Sequence, residues 1–247
     1  MSSPWFERLA GDDTAPARLV IFPFAGGGSV AFRSWAPLFP AGLDVQFALL
    51  PGRERRFREP AHTSVETLLP PLADAMTPLF DRPVTLFGHS MGAAIAYEVA
   101  RALQTAGRDV RHLVVSGRRA PGQPRRTPRI FHLPDNAFRE ALRALNGTPP
   151  EVLDNPEMME LLMPLLRADF ELSDEYAPLP GPALHCPVTA LGGSDDREAT
   201  EADVAAWRDT TTGPVTVRHF PGDHFFVMAH RDTIVDILAQ AALPAAA

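Results

Sequence analysis

Ser90 sits in Gly88-His89-Ser90-Met91-Gly92, a serine flanked at two residues on each side by glycine. Before it runs the apolar Val84-Thr85-Leu86-Phe87; after it comes the helix-forming Ala93-Ala94-Ile95-Ala96-Tyr97-Glu98-Val99-Ala100. A buried strand, a very sharp turn and a helix are the context in which the G-x-S-x-G spacing holds a serine hydroxyl clear of its strand as a nucleophile. The glycines are needed because strand and helix pass close together at the turn. The helix start adds free backbone N–H groups and the positive end of the helix dipole, which favour developing negative charge. The chemistry these residues suit is acyl transfer through an ester on Ser90.

A serine nucleophile needs a base within hydrogen-bond reach, and the base needs an orienting carboxylate. In chain order the acid and then the histidine should follow the serine. The sequence has eight histidines. His62 and His132 fall in polar loops, His112 and His219 within strand patterns, His185 beside Cys186-Pro187, and His230 at the start of a helix. His89 adjoins the serine. His224 alone falls just past a late strand, in a glycine-containing turn, and is the expected general base. Asp195 and Asp196 both follow a strand end; counted from Gly193, the G-x-x-D spacing favours Asp196, with Asp195 the alternative. Asp223 is too close in sequence to His224 to orient its far side. Pro23-Phe24-Ala25-Gly26-Gly27-Gly28-Ser29 follows another apolar run. It has neither the lysine of a P-loop nor the dinucleotide spacing. Its expected role is an oxyanion loop, with a backbone N–H from the Phe24-Ala25 region acting beside that of Met91.

These residues need a scaffold. Short apolar runs at Ala17–Phe22, Leu43–Leu50, Val84–Phe87, Val110–Ser116, Pro187–Leu191 and Val215–Phe220 read as strands. Helical patterns alternate with most of them: about 31–39, about 64–80, the segment from the serine to about 105, about 200–210, and about 231–243. Strand-helix alternation implies an α/β fold, a mostly parallel sheet with helices on both faces. Between Gly117 and Pro182 no strand is expected. A basic, proline-rich loop over 118–126 leads into helices at 135–145, about 156–166 and about 168–176. Their apolar content (Leu142, Leu145, Met158, Met159, Leu161, Leu162, Met163, Leu165, Leu166) suits a subdomain core, a lid forming a channel for an apolar chain, or both. The expected organisation is one domain over 1–247 with a helical lid insertion over 118–182. The mixed-charge run Arg53–Glu59 is read equally as a solvated loop or a docking surface.

The 247 residues suffice for one sizeable core. A net charge of −7 argues against general nucleic-acid binding, and all 23 basic residues are arginine. The single cysteine, Cys186, has no partner for an internal disulfide and is expected to be a buried structural thiol. No Cys/His spacing suggests a metal site, and no organic cofactor is required. Met1–Ala10 lacks the pattern of a signal peptide, and no apolar run reaches membrane-spanning length, so a cytoplasmic protein without membrane contact is expected. The Ala-rich C-terminus is expected to fray.

Five segments occur together and in order: Phe22-Pro23-Phe24-Ala25-Gly26-Gly27-Gly28, Leu50-Pro51-Gly52-Arg53, Leu86-Phe87-Gly88-His89-Ser90-Met91-Gly92, Ser116-Gly117-Arg118-Arg119-Ala120-Pro121 and Pro221-Gly222-Asp223-His224-Phe225-Phe226. The set resembles the stand-alone type II thioesterases of polyketide and nonribosomal peptide synthases, from Trp5 to the last helix. The resemblance implies an α/β-hydrolase fold and hydrolysis of acyl or peptidyl thioesters from the phosphopantetheine arm of carrier proteins, an editing role. It implies Ser90, Asp196 and His224 as the catalytic triad and the N–H groups of Met91 and Ala25 as the oxyanion hole. Phe24 and Phe225 are expected at the substrate. The family's acid loop often carries proline after the aspartate; this chain has Arg197. The partner is expected to be an acyl or peptidyl carrier protein, and the enzyme a monomer. Carrier proteins are usually acidic, so Arg118, Arg119, Arg125, Arg126 and Arg129 are candidates for docking. The alternatives are a carboxylesterase-type hydrolase of oxygen esters and a non-catalytic protein that binds an acyl carrier.

Overall fold

The computed structural model of the protein describes residues 3–243. Seven strands, β1 (Phe6–Ala10), β2 (Ala17–Phe22), β3 (Leu43–Ala48), β4 (Val84–His89), β5 (Val110–Ser116), β6 (Val188–Gly193) and β7 (Val215–Phe220), form one sheet in the order β1-β3-β2-β4-β5-β6-β7. All neighbours pair in parallel except β1, which runs antiparallel to β3 at the edge. The α/β-hydrolase sheet expected from the motifs is present. The strand not expected, β1, is short and mostly half-buried, so it carries no apolar run.

Strand residues alternate between two cores, as a period of two requires. Val20 and Phe22 pack under the helices α1 (Val65–Met76) and α2 (Met91–Thr105), with Leu72, Met76, Ile95 and Val99. Leu19 and Ile21 face the other way, against Phe32, Trp35, Ile234 and Leu238. Ser64 caps α1, accepting from Thr67 N–H at 3.3 Å. The expected helix around 31–39 is a 3₁₀ turn series over Ser29–Leu38, with Phe32 and Trp35 fully buried. Burying such aromatic side chains contributes roughly 1.5–3 kcal/mol each.

Between β5 and β6 the chain leaves the sheet. It forms α3 (Asp135–Leu145), α4 (Pro150–Leu153) and α5 (Pro156–Glu175). Where two helices are expected over 156–176, α5 is one helix of 20 residues, capped by Asn155, with Pro164 inside it. Arg167-Ala168, at the expected break, are good helix formers, and nothing there interrupts the chain. Phe138, Leu142, Leu153, Met159 and Leu166 make a small core of their own. Met158 and Leu161 point to solvent. After β6 come α6 (Glu201–Ala205), a 3₁₀ turn to Thr210, β7, α7 (Phe226–Ala229) and α8 (Arg231–Ala242). Thr200 and Asp203 form a capping box at α6.

Cys186 is half-buried rather than fully enclosed, and burial pushes its thiol up to about 11. No helix among the described residues is long and apolar enough to cross a membrane. The last four residues of the Ala-rich C-terminus, expected to fray, and the first two residues of the N-terminal stretch lie outside the described residues.

Candidate active site

The turn between β4 and α2 sets the site. Ser90 has φ 55° and ψ −117°, a strained backbone conformation for a residue with a side chain. The packing forces it. A Cβ on Gly88 would lie 2.0 Å from Gly92 O, and one on Gly92 would lie 2.4 Å from Phe22 O. The second contact also presses the start of α2 against the end of β2, so the glycine loop after β2 arrives beside the serine. The N–H groups of Ala25 and Met91 have no acceptor among the described residues.

The loops after β6 and β7 meet through backbone hydrogen bonds: Ser194 N–H to Phe220 O at 2.8 Å and Asp195 N–H to Gly222 O at 2.9 Å. This brings Asp196 to His224. His224 Nε2 lies 2.9 Å from Ser90 Oγ, and its Nδ1 lies 2.9 Å from Asp196 Oδ2. The Asp196 carboxylate is fully buried, and its Oδ1 accepts from Glu198 N–H at 2.8 Å and Ala199 N–H at 3.4 Å. Asp195 is exposed and accepts from Ser194 Oγ. Asp223 accepts from Phe225 N–H and from Asn146 Nδ2, so it turns away from the imidazole beside it in sequence. Ser90, His224 and Asp196 are thus one hydrogen-bonded chain.

His89 has a place that its sequence position does not reveal. It is wholly buried, its ring centroid is 5.0 Å from that of His224, and its Nδ1 lies 3.1 Å from Ser116 Oγ. Burial first, and the neighbouring His224 second, hold its pKa well below the ordinary value. A neutral His89 puts no positive charge against the ring beside it.

Over Ser90 lies a cavity of about 780 Å³. Phe24 and Phe225 stand edge to face at 5.2 Å at its base, and Leu142, Leu145, Ile130 and Phe170 of the insertion form apolar wall. Within the insertion the cavity takes its apolar surface from α3, the loop before it and Phe170 of α5; none of Met158, Met159 and Met163 lines it. Those methionines serve the insertion's own packing or face outward. Arg118, Arg119 and Arg125 line its polar side.

Of the five arginines clustered in sequence, two are buried and Arg126 and Arg129 are exposed. Arg118 is buried, donates to Ser173 Oγ at 2.7 Å and Ser173 O at 2.9 Å, and is pushed by burial down to about 10. Arg119 is also buried, while Arg125, Arg126 and Arg129 pair with Asp174, Asp203 and Glu175. The run Arg53–Glu59 is exposed at Glu54, Arg55, Phe57, Arg58 and Glu59, while two of its arginines turn inward. Arg53 and Arg56 are buried, and Arg56 stacks 3.9 Å above Trp5 while pairing with Glu59. Charge in a sequence does not show which arginines are internal braces.

Sequence reasoning also passed over Asp169, which reaches the glycine loop from α5 with Oδ2 2.7 Å from Gly26 N. Its signal was available: an acid on the same helical face as Leu165, Leu166 and Leu172 needs a buried partner.

A family model described as the thioesterase domain matches residues 17–241. The gramicidin S biosynthesis protein GrsT of Aneurinibacillus migulanus is 38% identical over 237 residues, which is 96% of this chain and 93% of that protein. The solved structure of BorB, a type II thioesterase from the borrelidin biosynthetic cluster, superposes with a TM-score of 0.89 at 35% identity and 98% coverage of both chains. That of YbtT, a type II thioesterase from the yersiniabactin NRPS/PKS pathway, gives 0.87 at 33% identity over 96% of this chain and 97% of that one. By the family match over nearly its whole length and the likeness to these relatives, the chain belongs to the thioesterase family, in its type II group.

Proposed function

We propose that this enzyme hydrolyses acyl or peptidyl groups held as thioesters on the phosphopantetheine arm of carrier proteins, and that Ser90, His224 and Asp196 are its triad. The observation that carries the reading is the continuous hydrogen-bonded chain from Ser90 Oγ through His224 to buried Asp196, at the base of a largely apolar cavity. Ser90 Oγ attacks the thioester carbonyl while His224 Nε2 takes its proton. Asp196 holds the imidazole with Nδ1–H directed at the carboxylate and favours the imidazolium. The free N–H groups of Met91 and Ala25 bind the oxyanion. His224 then returns the proton to the departing sulfur. Water, deprotonated by the same imidazole, attacks the acyl-Ser90 ester and releases the acid. Each oxyanion donor in such sites contributes roughly 2.7–4 kcal/mol to transition-state stabilisation. The segment 118–182 acts as a lid: α3 supplies apolar wall for the acyl chain, and Phe24 and Phe225 hold it against Ser90.

The family relationship favours a carrier-bound thioester over a free oxygen ester, because GrsT is a gramicidin S biosynthesis protein, BorB a type II thioesterase from the borrelidin biosynthetic cluster and YbtT one from an NRPS/PKS pathway. The test is incubation of the enzyme, acting as a monomer, with carrier proteins bearing short, long and branched acyl groups, read by intact mass. Wild type removes the acyl group and leaves the phosphopantetheine arm; Ser90→Ala leaves the thioester intact. Turnover by Ser90→Ala refutes the mechanism. A kcat/KM for matched oxygen esters above that for thioesters refutes the substrate.

A further inference from the structure

Asp169 and Arg53 form a buried pair that the steps above do not use. The Arg53 side chain is 4% exposed and that of Asp169 2%. Asp169 Oδ1 accepts from Arg53 Nη2 at 2.7 Å and its Oδ2 from Gly26 N–H at 2.7 Å. Arg53 Nη1 donates to Gly27 O at 2.8 Å. The two side chains therefore grip neighbouring peptides of the glycine loop, one from the loop after β3 and one from α5 in the insertion.

The shape of that loop makes the grip matter. Gly27 N–H donates to Phe24 O at 2.8 Å, closing a four-residue turn. Gly26, its third residue, has φ 74°, as in a type II turn. The central peptide of such a turn, here Ala25–Gly26, can rotate without breaking the closing hydrogen bond. Its N–H is the group that Asp169 holds. The adjoining Ala25 N–H has no acceptor among the described residues. The helix also sits directly over the turn: a Cβ on Gly26 would lie 2.6 Å from Leu166 Cδ2, three residues before Asp169.

Stability alone is a poor reason for this pair. A buried ion pair often gains nothing over apolar residues of the same volume. This one leaves Arg53 Nε buried and without a partner. An apolar replacement could fill the space but could not accept from Gly26 N–H.

We propose that Asp169 is a positioning residue for catalysis. With Arg53, which holds Gly27 O, it fixes in place the turn that carries the Ala25 N–H, so that this N–H stays aimed at the developing oxyanion. The insertion thereby completes the oxyanion hole as well as covering the acyl chain. A helix that shifts away from the glycine loop takes Asp169 with it and leaves Met91 as the sole ordered donor. This inference rests on the acyl-Ser90 reading given above.

The test uses the full chain and three probes: hexanoyl-N-acetylcysteamine for turnover, hexylboronic acid as a tetrahedral adduct of Ser90, and S-hexyl-N-acetylcysteamine, which lacks the carbonyl, as a ground-state ligand. In Asp169→Asn the charge on the pair is lost while the shape is kept. Because Arg53 is then left without its carboxylate, the double variant Arg53→Leu/Asp169→Leu supplies a second form that removes both charges, and thermal melting reports the fold of each. In a folded variant kcat should fall roughly 10- to 100-fold, as for a displaced oxyanion donor. KM should stay within about threefold, the boronate should weaken by the same factor as kcat, and the thioether should bind unchanged, since only the tetrahedral species contacts the oxyanion hole. Unchanged kcat in a folded variant overturns the proposal. So does equal weakening of boronate and thioether, which marks a loss of cavity shape alone. If wild type binds the boronate but turns over no thioester, the functional reading fails while the boronate comparison still decides the role of Asp169. If wild type does neither, both fall.

Discussion

Replacing Asp196 by Asn tests the acid in a way that the structure makes specific. The change removes a charge with almost no change of volume. Asp196 Oδ1 accepts two backbone N–H groups, from Glu198 and Ala199, and Oδ2 faces His224 Nδ1 at 2.9 Å. An asparagine has one oxygen and one NH₂. If the NH₂ faced the two backbone donors, both would lose their acceptor inside a buried site, at roughly 1–3 kcal/mol for each. The amide therefore turns its oxygen to the backbone and its NH₂ to His224. That NH₂ donates to Nδ1, so the imidazole carries its proton on Nε2, the atom 2.9 Å from Ser90 Oγ. Nε2 then donates to the hydroxyl and cannot accept from it. The wrong tautomer in a triad costs about 10⁴ in kcat, or about 5.4 kcal/mol of barrier at 1.36 kcal/mol per tenfold change. Rapid-quench measurement of acyl-enzyme formation with a soluble acyl thioester would place the whole loss in acylation and deacylation. Thermal melting should show the fold intact. Asp195→Asn, altering an exposed side chain bonded to Ser194, should stay within about twofold, as surface changes do. A collapse in Asp195→Asn with an active Asp196→Asn would refute the assignment. A loss of under tenfold in Asp196→Asn would refute the tautomer argument.

Two other outcomes follow from packing and burial. Gly92→Ala places a methyl 2.4 Å from Phe22 O and 2.7 Å from Pro23 O, backbone atoms that cannot rotate aside. Urea unfolding should show a loss of about 2–4 kcal/mol, and activity should fall with it because the glycine loop is displaced. His112 on β5 lies with Nε2 2.9 Å from Thr189 Oγ1, and burial lowers its pKa from 6.5 to about 4. The unfolded chain takes up that proton from about pH 6.5 downward and the folded one only near pH 4, so stability is full above pH 6.5 and is lost as pH falls toward 4. Urea melts from pH 4 to 7 should show wild type losing on the order of 1–2 kcal/mol more than His112→Asn over this range, after allowance for the ring's residual contact with solvent. An identical pH slope in both proteins would remove His112 from the account.

The sequence by itself determined the elements whose cause is local. An apolar strand, two glycines two residues either side of Ser90 and an alanine-rich helix specify the turn by sterics alone, and the alternation of strands and helices specifies a parallel sheet. It also singled out His224 as the candidate base, because that residue follows the last strand. Helix boundaries within 156–175 were less legible, since the break depends on which residues find tertiary partners. β1 escaped notice because an edge strand needs no continuous apolar run. Tertiary structure alone decided between Asp195 and Asp196 as the partner of His224: the two differ by one position, and the contact of the β6 and β7 loops determines which side chain turns inward. It alone separated arginines that brace the interior, Arg53, Arg56 and Arg118, from those at the surface, because burial is a property of the packed chain and not of a charge run. And it alone joined Asp169 to Gly26 across 143 positions of sequence, since the helical face that buries this acid does not say which distant backbone group it accepts from.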